Sequence, residues 1–231
     1  MASGMYGIIC GVFGEGGAIV EGSQHACAER ALVHLESLSS TEAVKQLFYE
    51  HPGGLNASPL LMLCLYSTGF PQLAARMVER SKEDPLRRNI AALVSDGNIF
   101  PLSIATIRND SVALFQLLIR EYPPALTIAV GDGSWTSLQG AESLVRSDAV
   151  LSLLRSCTAA YEKRNYQALA RLCGPSDFIS AEIDKIARPR IPLLVHLRRS
   201  AAAHAQECAL ARFFRVRDGD GAILRQVAKF L

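Results

Sequence analysis

Two ten-residue stretches of this chain follow one pattern. Asp96-Gly97-Asn98-Ile99-Phe100-Pro101-Leu102-Ser103-Ile104-Ala105 and Asp132-Gly133-Ser134-Trp135-Thr136-Ser137-Leu138-Gln139-Gly140-Ala141 both read D-G-x-x-x-x-L-x-x-A, and they begin 36 residues apart. Asp218-Gly219 opens a third copy through Leu224 and Val227, 86 residues after the second. Asn56-Ala57-Ser58-Pro59-Leu60 is a weaker relative. A turn joined to an apolar run at a period in the thirties or forties marks stacked units. One helix pair cannot bury both of its faces, so its neighbours must close the core.

The runs between the turns have helical spacing. Ala28, Leu32, Leu35 and Leu38 share one face of a helix starting near His25. Ser39 with Glu42 has capping-box spacing and opens a second helix that stops before Pro52-Gly53-Gly54. Ser58-Pro59 supplies an N-cap and a first-turn proline for a third, which ends near Gly69; Phe70–Ser81 is its partner. The design returns over Pro101–Asn109 and Ser111–Tyr122, where Pro123-Pro124 terminates it. No run alternates with period two, so strands are not expected. The expected fold is all-α, built of stacked helix-turn-helix units from residue 25 to 231, preceded by a glycine-rich arm over residues 1–24.

The residues Asp96–Ala141, with D-G, Pro101-Leu102 or Ser137-Leu138, a following Ala, and Val112-Ala-Leu-Phe-Gln-Leu-Leu-Ile as second helix, resemble the ankyrin repeat. The resemblance implies an ankyrin-like solenoid of L-shaped units and a role in binding proteins. It is degenerate: the family's His after Pro-Leu is replaced by Ser103 and Gln139, each Asp-Gly turn carries one extra residue, and the spacing is irregular.

Composition bears on partners. Charged residues are 20% of the chain and hydrophobic ones 49%, fewer charges than the ~25% usual in soluble domains, which suggests surface buried against other subunits. The net charge of +2 hides an asymmetry. Residues 1–60 hold Arg30 and Lys45 against six Glu, whereas residues 185–231 hold ten Lys or Arg against Glu207, Asp218 and Asp220. Arg188, Arg190, Arg198, Arg199, Arg212, Arg215 and Arg217 form the candidate surface for an acidic protein or for RNA. Trp135, the sole tryptophan, is the candidate apolar anchor in a repeat turn. The groove side of the short helices is expected to carry the contacts.

Catalytic constellations fail for lack of partners. Cys27-Ala28-Glu29-Arg30 looks like a cytidine-deaminase zinc tetrapeptide, but no P-C-x-x-C turn supplies the other thiolates. Gly11 and Gly16 have P-loop spacing, yet Gly17 stands where the Lys belongs, and Ile19 breaks the dinucleotide fingerprint begun at Gly14. His25, Cys27 and His34 match no metal finger. Neither G-x-S-x-G nor H-E-x-x-H occurs. No cofactor or metal is expected, and the six cysteines, none in a C-x-x-C pair, read as buried thiols of an intracellular reducing compartment, cytosol or an organelle interior such as the mitochondrion. The charge-free stretch Pro52–Ala75 is long enough to span a bilayer, but Pro59, Gly69 and Pro71 interrupt it. No Lys or Arg precedes Arg30, so neither a secretory nor a transit signal is read. The function expected is a non-catalytic interaction scaffold or accessory subunit of a larger assembly. The alternative is an RNA- or DNA-associated subunit of a ribonucleoprotein, such as an organellar ribosome, acting through the basic C-terminal part.

Overall fold

The computed structural model describes residues 8–9, 21–49, 57–66, 70–95, 99–130, 133, 135–144 and 146–187. The chain divides into two compact units, Met1–Ile179 and Ser180–Leu231. Of the second unit, residues 180–187 are described and are helical. The all-α class holds: no strand occurs among the described residues, and only the isolated bridges Ser95↔Ile99 and Val130↔Trp135 pair backbone in extended form. Both close the repeated Asp-Gly turns, whose residues 96–98 and 131–132 lie outside the described residues. Gly133 supplies the left-handed φ of 88° that the second turn requires. No helix among the described residues is long and apolar enough to cross a membrane.

Helix α1 is Glu21–Ser37 and α2 is Ser40–Leu47. The first begins four residues ahead of His25, inside the expected arm, and its fully buried stripe is Cys27, Ala31 and Leu35, with Ala28 and Leu32 flanking. In α2 the Ser39 hydroxyl accepts from the Glu42 amide at 3.3 Å. The Glu42 carboxylate reaches Gln46 rather than returning to Ser39, so half of the capping box is used.

Next come α3 (Pro59–Tyr66) and α4 (Pro71–Ser81), then α5 (Pro101–Arg108) and α6 (Val112–Glu121), then α7 (Ser137–Ser143) and α8 (Asp148–Glu162). The punctuation in the sequence acts at the expected places. Ser58 and Ser111 accept from the amides of Leu61 and Leu114, and Pro59, Pro71 and Pro101 occupy first-turn positions. Beyond them lie α9 (Tyr166–Cys173) and α10 (Asp177–Ala187), which runs across the division between the units. A 3-10 turn follows each of the first two longer helices: Ile90–Ala92 after α4, Pro123–Leu126 after α6.

Short helices contact short helices, α3 on α5 and α5 on α7, while α4 contacts α6 and α6 contacts α8 and α9. Helices of seven or eight residues are not stable alone, so burial must hold them. Pro59–Cys64 of α3 and Pro101–Thr106 of α5 are each buried at every position. Six consecutive buried residues cover more than a full turn, so no face of these helices is left open. Of the short helices, α3 and α5 therefore leave no open groove face, whereas α7 exposes Gln139, Glu142 and Ser143.

Burying α5 on all sides encloses polar groups, and these are paired apart from the buried Asn109 Oδ1, which has no hydrogen-bond partner among the described residues. The hydroxyls of Ser103 and Ser137 meet at 3.1 Å, and Ser137 also lies within bonding distance of the Ala125 carbonyl. Thr106 donates to the Ser103 carbonyl at 2.7 Å, and Asn109 donates to the Cys64 carbonyl at 2.8 Å. The Ser103 and Asn109 bonds join one helix pair to the next.

Candidate functional site

Two successive helix pairs differ most in length at one place. Pro59 to Pro101 is 42 residues and Pro101 to Ser137 is 36. Between α6 and its 3-10 turn stands Tyr122 alone, whereas between α4 and its 3-10 turn stands the eight-residue loop 82–89. The extra length is this loop, Lys82-Glu-Asp-Pro-Leu-Arg-Arg-Asn89. Binding residues are disproportionately found on surface loops held by a rigid scaffold.

The loop is ordered by its own carboxylate. Asp84, with 1% of its side chain exposed, accepts from the Leu86 amide at 3.3 Å, the Arg88 amide at 3.1 Å and the Arg88 Nε at 2.8 Å. Those bonds, the Arg88 side chain first, hold its carboxyl below the usual carboxylate range. The Arg88 guanidinium also lies 4.1 Å from the centroid of the Phe48 ring, which fixes the loop to the end of α2. Arg87 is held at φ 51°, a left-handed conformation that costs a residue with a Cβ about 1 kcal/mol. At the far end, Asn89 donates to the Glu121 carbonyl at 2.7 Å and accepts from the Ala91 amide.

This order presents two side chains outward. Leu86 is 73% exposed. Arg87 is exposed and makes no ion pair among the described residues. Behind them a cleft of about 530 Å³ is lined by Val78, Lys82, Arg88, Glu121 and Phe178, among others. Lys82 bridges to the buried Glu121 at 3.4 Å, which Arg120 also pairs at 3.0 Å. An aromatic series borders it: Phe100 stacks on Tyr122 at 5.6 Å, and Tyr122 meets Phe178 edge-on at 6.4 Å. The site is a mixed surface, with Val78 and Phe178 apolar and with Lys82, Arg87 and Arg88 standing alongside the carboxylates of Glu121 and Asp177.

Comparison with protein-family models, curated proteins and solved structures finds no match to this chain.

The residues singled out by sequence fall elsewhere. Trp135 is half-buried, with its ring on α7: a Cβ added at Gly140 would lie 2.3 Å from its Cζ3. Arg188, Arg190, Arg198, Arg199, Arg212, Arg215 and Arg217, like the third Asp-Gly turn, lie outside the described residues. His25, Cys27 and His34 turn apart: His25 pairs with Glu29 at 3.3 Å, the Cys27 thiol reaches the Ile8 carbonyl, and His34 bonds Gln46 at 3.0 Å. The loop 82–89 does not stand out in the sequence, because a charged stretch after a helix is usually a solvated connector. Its one signal is the extra length between the two Pro-Leu pairs.

Proposed function

We propose that the chain is a non-catalytic protein-binding subunit built of degenerate ankyrin-like repeats, and that the loop 82–89 and the cleft behind it hold an acidic segment of a partner protein. The recurring unit supports the repeat reading: short helix, longer helix, 3-10 turn, bridged Asp-Gly turn. The buried free thiols Cys27, Cys64, Cys157 and Cys173 suit a reducing compartment.

The observation that carries the binding reading is the rigid display of Leu86 and Arg87 by an inserted, internally bonded loop. Magnitudes assign their roles. Burying an exposed leucine contributes roughly 1.5–2 kcal/mol, while a rim ion pair contributes about 0–1 kcal/mol. Leu86 thus supplies affinity, and Lys82, Arg87 and Arg88 supply orientation and a faster encounter with an acidic surface. Because the loop is already ordered, docking costs little further entropy.

The test is purification of the tagged chain at two salt concentrations, with the recovered protein and nucleic acid both measured. Wild type is expected to bring down a stoichiometric protein that the variant Leu86→Asp with Arg87→Glu loses. A partner retained equally by the variant would move the site elsewhere. Nucleic acid lost at high salt, and lost on Arg198→Glu with Arg199→Glu, would replace this reading with the nucleic-acid one.

A further inference from the structure

We propose that Cys157 and Cys173 form a reversible disulfide, a modification site that makes the α8–α9 hairpin responsive to small thiol oxidants. The two sulfurs sit 3.3 Å apart across the hairpin, both buried, in hydrogen-bond contact. No other two sulfurs among the described residues come within such reach: Cys27 bonds a backbone carbonyl, and Cys64 is enclosed in α3. A disulfide is about 2.05 Å long, so closure needs an approach of only about 1.3 Å.

The surroundings hold the pair in register. Arg164 turns the chain at φ 53° between the helices, and Tyr161 meets Tyr166 edge-on at 6.1 Å. Gln116 of α6 donates to the Leu172 carbonyl at 2.9 Å, fixing the end of α9. The two thiols are not equivalent. The hydrogen bond shared with Cys157, and then the charge of Arg120, favour the thiolate at Cys173. It is also the more accessible, 6% exposed against 0% for Cys157. Cys173 is thus the attacking sulfur and Cys157 the resolving one.

With a peroxide as oxidant the chemistry closes. The Cys173 thiolate attacks one peroxide oxygen, the O–O bond breaks, and the departing hydroxide takes a proton to become water. The resulting sulfenic acid is attacked by Cys157, which gives up its proton as its sulfur displaces a second water. Two thiols lose two electrons and two protons, and the peroxide becomes two waters. A small dithiol reverses the bond by exchange.

The experiment uses the full reduced chain, treated with hydrogen peroxide while folded, then denatured, alkylated and mapped without reduction. The expected result is one linked peptide pair, Cys157 with Cys173, reopened by dithiothreitol, with Cys64 still alkylated. The oxidised protein is expected to melt roughly 5–10 °C higher, because a short loop is closed in the unfolded state. In Cys157→Ser the link and the shift are lost, and Cys173 becomes reactive to a sulfenic-acid probe. Full alkylation of both cysteines after peroxide, or linkage of either to another cysteine, would overturn the proposal. Mapping the wild type decides the matter even where the variant does not fold.

Discussion

Asp84 keeps its charge where almost none of its side chain meets water, because three N–H groups replace the water it gives up. Its folded pKa is depressed, so its contribution to stability is full above the unfolded value of about 4 and is lost as pH falls through the lower folded value. Asp84→Asn is therefore expected to lower the melting temperature at pH 7, and the gap between variant and wild type should shrink as both are acidified from the unfolded value down through the lower folded one. A gap constant with pH would mean that the charge does not stabilise the loop. Gly140 is the second residue on which packing turns. An alanine there would gain about 1 kcal/mol of helix propensity, but its Cβ would sit 2.3 Å from the Trp135 ring and 3.1 Å from the Thr106 hydroxyl. Overpacking of that kind costs about 1–3 kcal/mol. Gly140→Ala should lower the free energy of urea unfolding by roughly 1 kcal/mol in wild type and be neutral or stabilising in a Trp135→Leu background. Equal effects in both backgrounds would show that the ring is not the obstacle. Neither role is legible in the sequence: an Asp in a charged run and a Gly beside a Trp acquire meaning only from what folds onto them.

At the scale of elements, caps and prolines are legible because they act locally. Ser58-Pro59, Ser111 and Pro123-Pro124 bound their helices within a residue of the positions expected from sequence. Where punctuation is sparse the boundaries are harder to place: α1 starts early, and the division of 148–187 into three helices rests on Asn165 and Gly174, single residues in a long apolar pattern. The burial of α3 and α5 on all faces is set by neighbours, so the periodicity of eight residues cannot reveal it. Caps also differ in strength. Thr136 and Gln139 form a complete capping box on α7, a helix of seven residues, whereas Ser147 begins α8 without a side-chain bond. Thr136→Ala is expected to cost about 1 kcal/mol, and Ser147→Ala only a few tenths, in paired denaturant titrations. Comparable losses at both positions would mean that the box adds nothing beyond a solvated helix start.

At the scale of the whole molecule, the loop 82–89 is either an insertion between two helix pairs or a support that the fold requires. Its internal hydrogen bonds centre on Asp84, which serves Leu86 and Arg88 and accepts the Arg87 amide at its carbonyl. The ties to the rest of the unit are the Arg80–Glu83 pair and the backbone bonds to the end of α4, Arg88 on Phe48, Lys82 to Glu121 and Asn89 to the Glu121 carbonyl. Deleting the six residues Glu83–Arg88 would retain Lys82 and Asn89 and make the spacing from Pro59 to Pro101 equal to that from Pro101 to Ser137. Shortening a surface loop changes closure entropy by only about 0.6 kcal/mol per halving, so the cost should come mainly from the lost cation–π contact, about 0.5–1 kcal/mol, and from the lost Arg80–Glu83 pair, about 0–1 kcal/mol. The deletion is expected to leave helical circular dichroism and cooperative melting within a few degrees of wild type while abolishing recovery of the proposed acidic partner. Loss of folding would show that the buried Asp84 network supports the core, and that the longer unit is a structural necessity rather than a graft. Retained folding with undiminished binding would take the site away from the loop and leave the basic C-terminal part as the next surface to mutate.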